Sequence, residues 1–319
     1  MIRWAVVVLV LFVCGCSDKS ETQPQPEADV SAEKTPQAVP DVLAPAPTHR
    51  GPDVEDGFQG DRHPALAEQS LKMRVIRSAI GTGRGFAEGY FPREFRWPFE
   101  EFQVAVPERN YSAQDLSAFL PHTFGQPGQT WEVDPKRVAR FFKQIHAGAS
   151  LTLAAPGRRG GPNGVFGVLR AVSDTQFEIL TRVHAEFVVA PGAYMTPSYF
   201  EGRMLIDRQN RRVESFSLAV PSDVSLNATL TVIVPREALI DIVHLDRLEL
   251  QGGSPVGDKP QEWTREISLD EARRKLTANF YKLSEIQWVP SDVAVAVAQK
   301  QNRPILAIVL WGGLDNQSC

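Results

Sequence analysis

Cys319 is the residue with the clearest capacity for chemistry. It follows an apolar, β-branched run, residues 305–311, and the pair Gly312-Gly313, so a rigid strand end is expected to deliver it. A thiol held there and at the start of a following helix is accessible, and the helix dipole favours its thiolate. The other two cysteines, Cys14 and Cys16, close an N-terminal apolar run, which leaves the region between Cys16 and Cys319 without a thiol. The six histidines, His49, His63, His122, His146, His184 and His244, show no HExxH, HxH or Cys/His spacing; His49 and His63 fall in or beside the tether and the other four read as turn caps or locally bonded side chains, so no metal site is assigned. Glu100-Glu101 reads as solvated surface rather than an acid/base pair. Gly81-Thr-Gly-Arg-Gly85 lacks a preceding strand and a Lys-Ser/Thr ending, so it reads as a connection rather than a phosphate loop. Asn227-Ala-Thr229 fits the glycosylation pattern, and residues 207–212 read as a polar hairpin tip.

The elements that must position Cys319 lie just before it. Residues 285–289 read as a short strand, and Pro290-Ser291-Asp292 opens a helix that carries Val293, Ala294, Val297 and Ala298 up to Gln301. Asn302-Arg303-Pro304 then turns the chain into the strand at 305–311. Strand, helix, parallel strand, glycine turn and cysteine form the N-terminal half of a thioredoxin-like α/β domain.

Trp311-Gly312-Gly313-Leu314-Asp315-Asn316-Gln317-Ser318-Cys319 resembles the segment that leads into the Ser-Cys-selenocysteine-Gly motif of the selenoprotein N family, with Ser318 and Cys319 at the motif's first two positions. Weaker similarity extends to Pro197-Ser-Tyr-Phe-Glu-Gly202 and Ser222-Asp-Val-Ser-Leu-Asn227. The resemblance implies a thiol/selenol oxidoreductase in which a selenocysteine after Cys319 attacks a disulfide-containing protein or a peroxide. Cys319 then resolves the mixed intermediate. It also implies that the chain stops at a selenocysteine codon read as termination, that the 319-residue form is inactive, and that no separate cofactor is needed.

At the other end, Arg3 precedes an apolar run over residues 4–13, too short to span a bilayer and sized like a signal-peptide core. Val13-Cys14-Gly15-Cys16 resembles the bacterial lipoprotein cleavage box, with Cys16 as the lipidated residue and membrane attachment through its acyl chains. Ser17 in the next position points to the outer membrane of a cell envelope, facing the periplasm. The bland alternative is an ordinary signal peptide.

Residues 17–62 are rich in Pro, Glu, Gln and Ala and nearly free of large apolar side chains. They are read as a disordered tether. Residues 63–280 read as an α+β domain: an antiparallel sheet with flanking helices. Residues 281–319 form the truncated thioredoxin-like unit. In the α+β domain, Leu66, Leu71, Val75, Ile76 and Ile80 suggest a helix over 65–80, and the aromatic residues between Phe86 and Phe102 suggest core packing. Asp134-Pro135 caps a helix that ends near 147–148. About six strands are expected, at 150–155, 165–172, 176–189, 202–207, 212–220 and 229–234, and Ser268-Leu-Asp-Glu271 opens a helix to Phe280. Net charge is −4, which provides no basic field for nucleic acid. A reading from a different class is a non-enzymatic envelope lipoprotein whose α+β domain binds a protein or polymer.

Overall fold

Antiparallel strand pairing organises most of the folded chain. The computed structural model describes residues 7–9, 63–80, 95–153, 155, 163–223, 226–234, 237–254, 262–281, 289 and 291–307. These fall into two compact units. In the smaller, Val7–Leu9 (β1) pairs in parallel with Ile305–Ala307, the last strand, β16. Helix α5, Ser291–Gln301, buries Ala294 and Ala298 while Val293 and Val295 stay exposed. Both the helix and the strand were expected. The candidate strand at 285–289 lies outside the described residues except for Val289, and residues 308–319 lie outside them entirely.

The larger unit is mixed α+β and mainly antiparallel. Its strands are Ser70–Arg77 (β2), Glu108–Ser112 (β3), Thr130–Val133 (β4), Ala149–Ser150 (β5), Val165–Val172 (β6), Gln176–Val183 (β7), Glu186–Ala190 (β8) and Ala193–Pro197 (β9). Phe200–Asp207 (β10), Arg212–Ala219 (β11), Ala228–Val234 (β12), Glu237–Val243 (β13), Leu248–Gly253 (β14) and Arg265–Glu266 (β15) follow. Helices are Trp97–Glu100 (α1), Ala113–Leu116 (α2), Pro135–Ile145 (α3) and Leu269–Phe280 (α4). One sheet has nine strands in the order β15-β6-β7-β10-β11-β14-β2-β3, with β4 also on β6. The other has five in the order β13-β12-β9-β8-β5.

The chain crosses repeatedly between these sheets. It leaves the nine-stranded sheet at His184-Ala185, between β7 and β8, and returns at Ser198-Tyr199, between β9 and β10. The expected single strand over 176–189 is therefore two strands in different sheets. Phe200, Met204, Phe216 and Leu250 of the larger sheet share a core with Phe187, Met195, Leu230 and Val232 of the smaller. Helix α3 adds Val138, Phe141, Phe142 and Ile145 to that core. Each fully buried side chain of this size contributes about 1.5–3 kcal/mol.

Three other expectations need correction. Residues 65–80 do not form a helix: β2 places Leu71, Met73 and Val75 against the core and leaves Lys72 and Arg74 exposed, a period of two. Pairing with β14 and β3 overrides the helix-like spacing of Leu71, Val75 and Leu66. The expected strand at 150–155 ends at Ser150, because Ser150 Oγ accepts from the Thr152 amide at 3.1 Å and bends the chain. The strand count was also low: β3, β4, β5, β9 and β15, of two to five residues, are too short to declare a period, while β13 and β14, of seven and six residues, were simply passed over.

The helix caps read from sequence hold. Asp134 Oδ1 accepts from the Lys136 amide at 2.9 Å at the start of α3, and Ser268 Oγ accepts from the Glu271 amide at 3.1 Å at the start of α4. Helix α3 stops at Ile145, two residues short of the expected end. Residues 81–94, with the glycine-rich connection among them, and residues 255–261 lie outside the described residues.

Candidate functional site

Cys16, Ser318 and Cys319 lie outside the described residues, so the geometry of the sequence-predicted site is carried by what leads to it. Helix α5 has Ser291 and Asp292 in its first turn, and β16 begins directly after Pro304. An open groove of about 610 Å³ runs along Val295, Ala298, Gln299, Asn302 and Arg303 to Ile305. Ile305 itself is 41% exposed, so its side chain is incompletely covered.

In the larger unit, polar side chains concentrate where α4 lies on the outer face of β6 and β7. The apolar part of that contact is Val168 and Leu180 against Ala272 and Leu276. Alternation along β7 puts Glu178 and Arg182 on the same face as Leu180. Glu178, 1% exposed, accepts from Arg170 and Arg203, and Arg170 Nη1 also donates to Glu266 at 2.8 Å. Arg273 of α4 grips Glu201 of β10 with two bonds, 2.7 and 2.9 Å. That bidentate pair holds the Arg273 pKa above its ordinary value.

At the C-terminal end of α4, Arg182 places its guanidinium 3.6 Å from the Tyr199 ring centroid, with Tyr281 at 5.6 Å and Phe280 at 5.9 Å. Its Nη1 donates to Thr277 Oγ1 at 3.0 Å. A cation suits the last turn of a helix, where carbonyl groups concentrate negative charge. Tyr281 Oη lies 3.3 Å from His184 Nε2, and the Phe280 ring meets the His184 ring edge-on at 4.6 Å. Burial, and secondarily the charge of Arg182, pushes the His184 pKa down to about 3. The ring is therefore neutral near pH 7, and the cluster locks α4 over the crossing between the two sheets.

Among the other histidines, His146 follows the sequence reading and His63, expected beside the tether, caps a turn. His146 Nδ1 accepts from the Gly148 amide at 3.0 Å, its ring packs against Phe102, and burial lowers its pKa to about 4. His63 Nδ1 accepts from the Ala65 amide at 3.0 Å. His244 lies 3.5 Å from Asp246. Among the described residues, no group of three or more His, Cys, Asp or Glu side chains gathers as metal ligands, and no helix is long and apolar enough to cross a membrane. Glu100 and Glu101 are exposed, as expected of a solvated pair.

Sequence reasoning passed over Arg182 and His184, reading the first as part of one long strand and the second as a locally bonded histidine. The only signal was weak: Leu180 sits between Glu178 and Arg182 on the same face of β7, so an apolar residue interrupts an otherwise polar face. Tyr199 and Glu201 do fall within the Pro197 to Gly202 segment singled out by resemblance. Asn227 closes the second such segment. Its Nδ2 donates to Pro221 O and Leu245 O at 2.8 and 2.9 Å, its Oδ1 accepts from Leu245 N at 2.6 Å, and its carbonyl accepts from Ser198 N at 2.7 Å. The two segments are thus bonded to each other, and a fully buried Asn227 is no acceptor for glycan.

The chain is a mixed α+β protein with two antiparallel sheets and an appended helix–strand unit. Its sequence is selenoprotein N-like. It is 25% identical over 268 residues to selenoprotein N of Homo sapiens, covering 68% of this chain and 45% of the relative. Selenoprotein N of Danio rerio is 25% identical over 268 residues, covering 67% of this chain and 48% of the relative, and that of Mus musculus is 24% identical over 268 residues. The chain spans about half the length of these curated relatives. No family model matches, and no solved structure matches.

Proposed function

We propose that this chain is part of a thiol/selenol oxidoreductase of the cell envelope that acts through a thioredoxin-like unit following α4. The observation that carries the reading is the similarity to selenoprotein N, taken with the match of Ser318-Cys319 to the family motif. A selenol beside Cys319 supplies an acidic, strongly nucleophilic attacking atom for a disulfide or peroxide. The task of Cys319 is resolution: its thiolate attacks the oxidised selenium, forms a sulfur–selenium bond and expels the substrate sulfur as a thiolate after a disulfide, or hydroxide, leaving as water, after a peroxide. The strand that begins at Ile305–Ala307 leads toward that thiol, and Ser291 and Asp292 start the preceding helix.

In this reading Cys16 carries the lipid anchor and residues 17–62 span from the membrane to the folded part, placing the protein at an outer membrane facing the periplasm. The support is the short apolar run before Cys14-Gly15-Cys16 and the composition of the tether. The substrate is a disulfide-containing protein or a peroxide, and nucleic acid is no partner. Reading the nucleotide sequence after the Cys319 codon tests the proposal: UGA with an open frame beginning at glycine supports it, and UAA or UAG counts against it.

A second reading is favoured by one observation. The region between Cys16 and Cys319 contains no cysteine, so the large α+β unit takes no direct part in thiol exchange. A tethered envelope module that binds a protein or polymer through that unit is the alternative, and it requires that Cys319→Ser leave function unchanged.

A further inference from the structure

The N-terminal end of the α+β unit is a short strap, residues 63–67, that precedes β2 and is tied down by a histidine side chain. His63 Nδ1 accepts from the Ala65 amide at 3.0 Å, the turn an asparagine side chain makes when it bonds two residues ahead. The His63 amide donates to Ser117 Oγ at 3.0 Å, and that hydroxyl in turn donates to Ala113 O at 2.7 Å. Beyond the turn, the Leu66 amide donates to His63 O at 3.0 Å, and the Ala67 amide donates to Arg211 O at 2.6 Å. Arg211 also donates to Pro64 O, and Leu66 is fully buried as a plug. The His63 ring meets Phe124 edge-on at 5.6 Å, and Phe124 stacks on Phe177 of β7 at 4.4 Å.

Two features make this tie conditional on the ring's charge. Nδ1 can accept from Ala65 only while it carries no proton, so the proton of the neutral ring sits on the buried Nε2. Of the groups that act on the ring, His122 and Arg137 both oppose a positive charge there, and the strap's own anchor, Arg211, is cationic. Only the backbone carbonyls of Pro121 and His122 favour protonation, and burial, the largest influence, outweighs them so that the pKa is lowered. When the ring does take a second proton, Nδ1–H faces the Ala65 N–H, donor against donor, and the turn loses its bond.

We infer that His63 is an acid-operated latch: its protonation releases the strap of residues 63–67 from the hairpin between β10 and β11 and from Ser117 just after α2, while the sheets stay folded. The structural consequence is a longer reach for whatever precedes residue 63. The inference stands apart from the redox reading, since it uses no cysteine.

Amide hydrogen exchange on the full chain at pH 7.5 and pH 5.0, corrected for intrinsic rates, tests it, with His63→Asn as the decisive variant. Asparagine keeps an acceptor in the same turn and cannot titrate. In the wild-type chain the protection of Ala65, Leu66 and Ala67 is expected to fall at least tenfold between the two pH values, with Leu169 and Ile179 in the core still protected. In His63→Asn the strap is expected to stay protected at both. His63→Ala, which has no acceptor, is expected to leave the strap open at both. Equal loss in the wild type and in His63→Asn, or full protection of the wild-type strap at pH 5.0, overturns the latch.

Discussion

The guanidinium of Arg182 lies 3.6 Å from the ring centroid of Tyr199, joining the end of β7 to the point where the chain re-enters the larger sheet. Arg182 is 3% exposed, and its Nη1 also donates to Thr277 in α4. One side chain thus ties two strands and a helix terminus. Arg182→Met, which keeps the bulk but not the charge or the donor, should lower unfolding free energy by about 2–3 kcal/mol. Arg182→Lys should recover less than half of that, because an ammonium has no plane to lay on the ring. Urea unfolding of the three proteins checks both; a lysine variant as stable as the wild type would mean that charge alone matters.

Gly202 faces Thr181 across β7 and β10. A Cβ there would overlap Thr181 Oγ1 and come within 3.3 Å of Leu218 Cδ1. Gly202→Ala should cost about 2 kcal/mol, and Thr181→Ala should offset much of it in the double variant, because the overlapping atom is removed. A double-mutant cycle on thermal unfolding reads the coupling, and strict additivity would contradict the close approach.

His146 and His184 are held neutral by burial, with pKa values of about 4 and about 3. Both folded values lie below the unfolded one near 6.5, so the unfolded chain binds more protons on acidification. Stability from these two groups is therefore complete above about pH 6.5 and falls as the pH drops toward their folded values. Each contributes a slope of up to about 1.4 kcal/mol per pH unit. His146→Asn retains an acceptor for the Gly148 amide and should reduce the loss measured between pH 6.5 and 5.0 by about one proton's worth. Urea unfolding at the two pH values gives that difference, and an unchanged slope would show that His146 titrates normally.

Asn227 bonds Pro221, Leu245 and Ser198 at once. Asn227→Ala leaves buried carbonyl and amide groups without partners and should destabilise by about 3 kcal/mol. Asn227→Asp should fare little better, since it replaces two donated bonds with oxygen facing oxygen. Thermal unfolding compares them, and near-neutral substitutions would mean that those backbone groups find other partners.

How much of this was legible depended on how each segment declares its environment. Asp134-Pro135 and Ser268-Leu-Asp-Glu271 announced their helices, because a cap is local chemistry that operates wherever it occurs. β6 and β11 announced themselves by length and by turns on either side. The segment around Leu71 and Val75 misled, since a strand wedged between two others can carry apolar residues four apart while its true period is two. The crossing at His184-Ala185 was invisible, as nothing local marks a strand that changes sheets. Arg182 and Tyr199 are 17 positions apart in sequence and meet only through that crossing. The expectation at Ser318-Cys319 rests on its resemblance and on the strand expected before it, and the described residues reach α5 and β16 but not the thiol.

The central claim is that Cys319 works beside a selenocysteine in a redox enzyme. Intact mass of the protein purified from its native cells, together with its selenium content, tests this most directly. The account predicts a polypeptide that continues past Cys319 and carries one selenium atom. A stable product ending at Cys319, free of selenium, would contradict it.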